Sequence, residues 1–234
     1  MSVEIRRGST RFVERSPGRL SHHAFSFGEH YDPARLSFGP MVCHDDHLLG
    51  SGRGFEEHPH SGLEIVTWVV AGSLVHEDST GTAVELTAGS CGVLSAGSGV
   101  RHSELASAGG SARFVQVWLR PDDPSRDPSY DRVPVEGAVP GAGLVPVVGD
   151  DGPLGVGVAG ASYGVARLGG NESVELPAAG RVHAYLASGA LLRSSLAEPL
   201  HAGDAFLFTD EPAHTVTAGV PTELHVWTFA SVAG

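Results

Sequence analysis

Apolar residues recur at alternate positions in short runs along this chain, and glycine or proline closes nearly every run. A period of two places every second side chain on one face of a strand, whereas a helix needs a period near 3.6. "ARFVQVWLRP" (112–121) has the strand pattern and ends at Pro121, which cannot continue a ladder. "LEIVTWVVAGSLVHED" reads as two strands joined by a turn at Ala71-Gly72, a hairpin pattern. "RVHAYLASGALLRSSL", "GDAFLFTD" and "TELHVWTFA" repeat the grammar, and no helical periodicity is sustained. The 32 glycines and 15 prolines suit many short strands joined by tight turns. The expected class is all-β.

"PDDPSRDPSYDRVPVEGAVPG" carries five prolines and several aspartates, the composition of a linker. Its flanks share one plan. In the first, a strand ends at Gly72, "LTAGSCGVLSAGSGVRHSE" follows and "FVQVW" closes the unit. In the second, a strand ends at Gly189, "LHAGDAFLFTDEPAHTV" follows and "ELHVWTF" closes it. Repetition of one supersecondary plan predicts two tandem β-barrels, with domains at 1–125 and 141–234 and a linker at 126–140.

Charge narrows the function classes. Net charge is −12 and no basic run exceeds Arg6-Arg7, so the chain lacks the footprint for direct nucleic-acid binding. All 15 cationic side chains are arginines, which removes Schiff-base chemistry and the lysine of a phosphate-binding loop. "MSVEIRRGST" lacks a signal-peptide core, and no stretch reaches the length of a membrane span; a cytoplasmic location is expected. Cys43 and Cys91 are expected to be buried, inert thiols.

Two short strings carry the chemistry. In "HPH", His58 and His60 share a strand face; in "HSE", His102 and Glu104 do the same. If the two strands lie across one barrel, three imidazoles and a carboxylate converge, a donor set for one divalent first-row metal. His183 and His214 in the second half have no same-face partner able to ligate, and no metal is expected there.

Gly52, five residues, His58-x-His60, three residues and Glu64 resemble the first motif of the cupin superfamily. Gly89, five residues and "SAGSGVRHSE" resemble the second motif in its pirin form. "HHAFSFGEHYDPARLSFGP", "GRGFEEHPH", "HEDSTG" and "FVQVWLRP" are similar to pirins too, so the resemblance is strong over about the first 130 residues. It implies a bicupin of two jelly-roll-like barrels with metal only in the first. The implied ligands are His58, His60, His102 and Glu104, and the implied ion is iron, with nickel, copper, cobalt, manganese or zinc as alternatives.

Glu64 and His76 are candidates to support the ligands by hydrogen bonding, although the barrel rim is the simpler place for His76. His22 and His23 read as a polar turn before "AFSF". Ser61 stands where many relatives have arginine, which bears on substrate preference. The resemblance implies a dioxygenase that cleaves flavonol-type phenols with O₂, as in the bacterial pirin-like quercetinases, with Glu104 as base. Trp68, Val70 and Leu94 are then candidate walls for the aromatic substrate. The resemblance also allows an iron-dependent, redox-sensing regulator that binds a protein partner, and a metal of purely structural use. The motif names a metal site and leaves its use open.

Overall fold

The computed structural model describes residues 1–231. It is built almost wholly of strands, and the single helical element named along the chain is a 3-10 turn at Gly8–Thr10. Among the described residues no helix is long and apolar enough to cross a membrane. The chain divides into two compact units. One holds Arg11–Val135 with Val156–Val158; the other holds Met1–Thr10, Glu136–Gly155 and the chain from Ala159 onward.

Strand β1 (Ser2–Arg6) belongs to the second unit. The first unit contains β2 (Phe12–Ser16), β3 (Arg19–His23), β4 (Met41–Leu49), β5 (Gly54–His60), β6 (Glu64–Ala71) and β7 (Ser73–Asp78). It continues with β8 (Ala83–Thr87), β9 (Ser90–Ser95), β10 (Val100–Ala106), β11 (Ala112–Leu119) and β12 (Ser129–Pro134). Its seven-stranded sheet runs β12-β9-β6-β11-β4-β3-β2, and its four-stranded sheet runs β5-β10-β7-β8. Leu49, Val69 and Phe114 from the larger sheet pack with Leu74, Leu86 and Ala106 from the smaller, so each strand's alternate apolar side chains fill the space between.

The second unit contains β13 (Leu144–Val148), β14 (Ala161–Leu168), β15 (Ser173–Leu176), β16 (Arg181–Ser188), β17 (Ala190–Leu191), β18 (Leu200–His201), β19 (Ala205–Thr209), β20 (His214–Thr217) and β21 (Thr222–Phe229). Its main sheet runs β1-β19-β16-β21-β14-β13, with two small ladders, β15-β20 and β17-β18. Leu186, Phe206, Phe208 and Leu224 are among the side chains of its core.

Three sequence expectations change. The predicted hairpin at Ala71-Gly72 does not form: β6 pairs with β9 and β11, while β7 pairs with β8 and β10. Gly72 is a corner at which the chain leaves one sheet for the other. Its φ is +71°, and a Cβ there would come 2.0 Å from the Ser111 carbonyl oxygen, so only glycine fits. The stretch read as linker contains β12, which adds to the edge of the seven-stranded sheet through β9. Residues 1–10, placed by sequence in the first domain, give their strand to the second unit, where Ser2–Arg6 pairs with Thr209–Ala205.

Candidate metal centre

β5 and β10 run antiparallel, with His58 opposite His102 and His60 opposite Val100; between His102 and Glu104 the register shifts in a bulge. Gly54 lets the strands close beside that bulge, because a Cβ there would lie 2.1 Å from the Glu104 carbonyl oxygen. Alternation then sends His58, His60 and His102 to one place. One nitrogen from each lies within 4.8 Å of the others.

The donor chemistry fits a metal ion. The Nδ1 of His58 donates to the Glu56 carbonyl at 2.7 Å, which fixes the tautomer and leaves Nε2 as the lone-pair nitrogen. His60 Nε2 and both ring nitrogens of His102 are buried without a hydrogen-bond partner. Such atoms cost free energy in a dry site, and a cation is one partner that satisfies several at once. Burial, followed by the neighbouring imidazoles His102 and His58, pushes His60 down to about 4. Burial and the neighbours His58 and His76 push His102 down to about 3. Both rings are therefore neutral near pH 7, the form that ligates.

Glu104 falls in a second grouping, with His76 and His102. Its carboxylate is anchored from the opposite sheet. Gln116 Nε2 donates to Oε2 at 2.7 Å and the Thr67 hydroxyl donates to Oε1 at 3.3 Å. Trp118 Nε1–H donates to Gln116 Oε1 at 2.9 Å. An indole nitrogen can only donate, so the Gln116 amide must present its N–H to Glu104, and both glutamate oxygens serve as acceptors.

The structure moves His76 off the rim. It is buried on β7 directly opposite Glu104, with its ring 5.4 Å from that of His102. Its Nε2 donates to Asp78 at 3.0 Å, and Tyr130 stacks on it at 4.0 Å. Burial opposes ionisation of Asp78, but hydrogen bonds from Thr80 and His76 win and hold its carboxyl at about 2. Glu64 is buried on β6 and takes the Ser95 hydroxyl at 2.7 Å; its other oxygen lies against Gly157. The hydrogen bonds of His76 and Glu64 run to Asp78 and Ser95, and His76 meets the candidate ligands His102 and Glu104 by proximity alone.

A cavity of about 270 Å³ opens onto His58, His60 and Glu104. Phe27, Phe55 and Trp118 form its aromatic wall. Trp118 meets the His60 ring at 4.8 Å and the Phe27 ring at 5.6 Å, both edge-on. The walls expected from sequence, Trp68 and Leu94, are not in its lining, and neither is Val70. Thr67 turns toward Gln116 and Glu104, so its neighbour Trp68 faces the opposite side of the sheet.

Across the cavity stands a polar wall that the sequence reading missed: Ser21, His23, Asp45 and His47, all buried, with Glu14 and Arg19. His23, expected from sequence in a turn, lies in β3. In register across four strands run His23, Asp45, Gln116 and Thr67, one polar row along the sheet. His23 Nδ1 lies 2.7 Å from Asp45 Oδ2, and Ser21 Oγ lies 2.7 Å from His47 Nδ1. The repeated alternation of "SHH" and "CHDDH" was the available signal.

Both thiols are buried, and burial pushes each up, so neither is poised to react. In the second unit His183 is buried in β16, and His214 contacts Glu211 at 3.3 Å. Both groupings of clustered ligand atoms lie in the first unit.

The family model described as Pirin matches residues 6–119. A Mycobacterium tuberculosis protein, provisionally named a quercetin 2,3-dioxygenase, is 38% identical over 97% of this chain and 94% of its own length. A quercetin 2,3-dioxygenase of Escherichia coli K12 is 36% identical over 48% of this chain and 49% of its own. Among solved structures, a bacterial pirin of Escherichia coli in complex with nickel(II) superposes with a TM-score of 0.89 at 27% identity. That match covers 99% of this chain and all of the other.

Proposed function

Because this chain belongs to the pirin family, we propose that its first barrel holds one divalent metal on His58, His60, His102 and Glu104 and uses it to cleave flavonol-type phenols with O₂. The observation that carries this reading is the meeting of three imidazoles, two of them with unpartnered buried nitrogens, at one end of an aromatic-walled cavity. A three-nitrogen, one-oxygen set accepts several first-row ions. The resemblance favours iron, and the nickel(II) complex of the Escherichia coli pirin supports nickel.

A bound ion of this kind acts as a Lewis acid that favours the deprotonated form of a substrate hydroxyl near neutral pH. The remaining work belongs to the chain. His58 is pre-oriented by its bond to Glu56, so its Nε2 needs no reorganisation to serve. Gln116 and Thr67 hold Glu104 with its charge toward His102, where it offsets a cation and attracts a hydroxyl proton. Phe27, Phe55 and Trp118 favour a flat, aromatic ligand and exclude water from its faces. Arg19 lies 4.4 Å over the Phe55 ring and stiffens that wall.

The test is oxygen uptake with quercetin, using protein stripped and reloaded in turn with iron, nickel, copper or cobalt. Uptake is expected with at least one ion and is expected to vanish in His58→Ala. Protein that retains each ion yet consumes no oxygen with any of them would sink flavonol cleavage.

A further inference from the structure

His23 stands between two carboxylates that differ in their access to water. Nδ1 lies 2.7 Å from Asp45 Oδ2, and Nε2 lies 3.6 Å from Glu14 Oε2. The His23 and Asp45 side chains are 2% and 4% exposed, that of Glu14 40%. All three border the cavity. Arg19 Nη2 donates to Glu14 Oε1 at 2.6 Å, which leaves Oε2 toward the ring. Three other rings lie near it: Phe27 stacked at 5.1 Å, His30 at 6.3 Å and His47 at 6.4 Å. His47 has its Nδ1 tied to Ser21.

A hydroxyl ligand that binds as its anion must lose a proton inside the cavity. Glu104 can attract that proton but is a poor exit to water, since Gln116 and Thr67 hold it in place and the residue is 4% exposed. On the opposite wall a buried acid, an imidazole and an exposed acid follow one another from the cavity to solvent. We propose that Asp45, His23 and Glu14 form a proton path that carries the proton shed by a hydroxyl ligand out to bulk water. The proposal rests on the phenol-binding reading above.

The path starts with a proton on each ring nitrogen: Nδ1–H meets Asp45, and Nε2–H, 3.6 Å from Glu14 and without a hydrogen-bond partner, closes on that carboxylate to transfer. The ligand's O–H bond breaks and its proton goes to Asp45 Oδ1, the oxygen that does not face His23. At the same time Nε2 passes its proton to Glu14 Oε2, which gives it to water. One proton enters as one leaves, and the proton between Nδ1 and Asp45 stays in place. Departure of the ligand as a neutral hydroxyl runs the steps backwards.

A path changes rates and leaves equilibria alone, which separates it from a structural role. Metal-loaded protein is mixed anaerobically with quercetin in weak buffer, and proton release is followed with an indicator dye beside flavonol binding. Wild type should release a proton on binding. His23→Gln and Glu14→Gln should slow release and ligand departure alike, by on the order of a hundredfold, with the dissociation constant, released amount and metal content unchanged. Glu14 is exposed enough that its variant carries the test even if His23→Gln fails to fold. Release at the wild-type rate in Glu14→Gln, or a changed dissociation constant without a slower release, would overturn the path. Wild type that binds quercetin without releasing a proton would overturn it too, with phenol binding intact. Absence of quercetin binding by metal-loaded wild type would overturn the phenol reading and the path with it.

Discussion

The two barrels use the same kind of short antiparallel ladder for opposite ends. In the first, β5 and β10 set His58 opposite His102, and His60 Nε2 and both ring nitrogens of His102 are left without hydrogen-bond partners. In the second, β15 and β20 set Leu176 opposite His214 and Val174 opposite Val216, and Val174, Leu176 and Val216 all join the apolar core. The closing strands match as well. Gln116 and His225 each sit two residues before a tryptophan, Trp118 and Trp227. Gln116 reaches Glu104 on the facing sheet, whereas His225 contacts Glu223 on its own strand at 3.0 Å. Each unpartnered buried polar atom costs about 1–3 kcal/mol. The first barrel therefore sacrifices stability to keep a donor set open, and the second fills the same ladder with hydrocarbon. One architecture serves both, and the chemistry lies in what occupies the ladder.

The largest test of that contrast is His102→Ala. Metal retained after desalting, read by elemental analysis, should fall by more than the roughly 10–100-fold that follows loss of a ligand's hydrogen-bond partner. Wild-type retention would erase the distinction between the ladders. On the other side, Leu176→Ala should cost about 2–5 kcal/mol in chemical denaturation, because it opens a cavity in a filled core. Its metal content should not change; a loss of metal would mean that the second ladder serves the first barrel's site.

Gln116→Leu sharpens the comparison at smaller cost. It frees the Glu104 carboxylate, and metal affinity measured by chelator competition should drop roughly 10–100-fold with the fold intact. Unchanged affinity would mean that the cradle does not position Glu104.

The subtlest difference is in acid. His60 and His102 titrate at about 4 and about 3 in the folded chain, against 6.5 when unfolded. The unfolded chain therefore holds more protons in that window, and the metal-free first barrel loses stability as pH falls from about 6.5 toward about 3. Glu223 behaves differently. Burial opposes its ionisation, but the hydrogen bond and charge of His225, followed by those of Arg167, hold it at about 2. Its contribution to the second barrel is lost only as pH falls from 4.5 to about 2. Hydrogen exchange of metal-free protein at pH 7, 5.5 and 4.5, corrected for intrinsic rates, should show first-barrel amides losing protection earlier. The reverse order would contradict the assignment.

The candidate ligand histidines could be singled out from sequence because "HPH" and "HSE" each place two side chains on one face of a single strand, a relation that needs no partner. The polar row of His23, Asp45, Gln116 and Thr67 was not, since it runs across four strands drawn from four separate stretches and exists only once their register is set. The false hairpin at Gly72 has the same origin. Alternation identifies a strand and its buried face, but ladder partners depend on contacts distant in sequence. Asp78 and Tyr130 likewise meet at His76 only through the closed barrel.

The pairing of β1 with β19 sets an order of assembly. Residues 2–6 are synthesised long before the strand they join, 205–209, which follows the whole first barrel in sequence. The first barrel, closed by residue 158, can fold while the chain is still growing; the second must wait with its opening strand unpaired. Deleting residues 2–6 would thus uncover β19 as an edge of the second unit's main sheet, where exposed backbone invites aggregation.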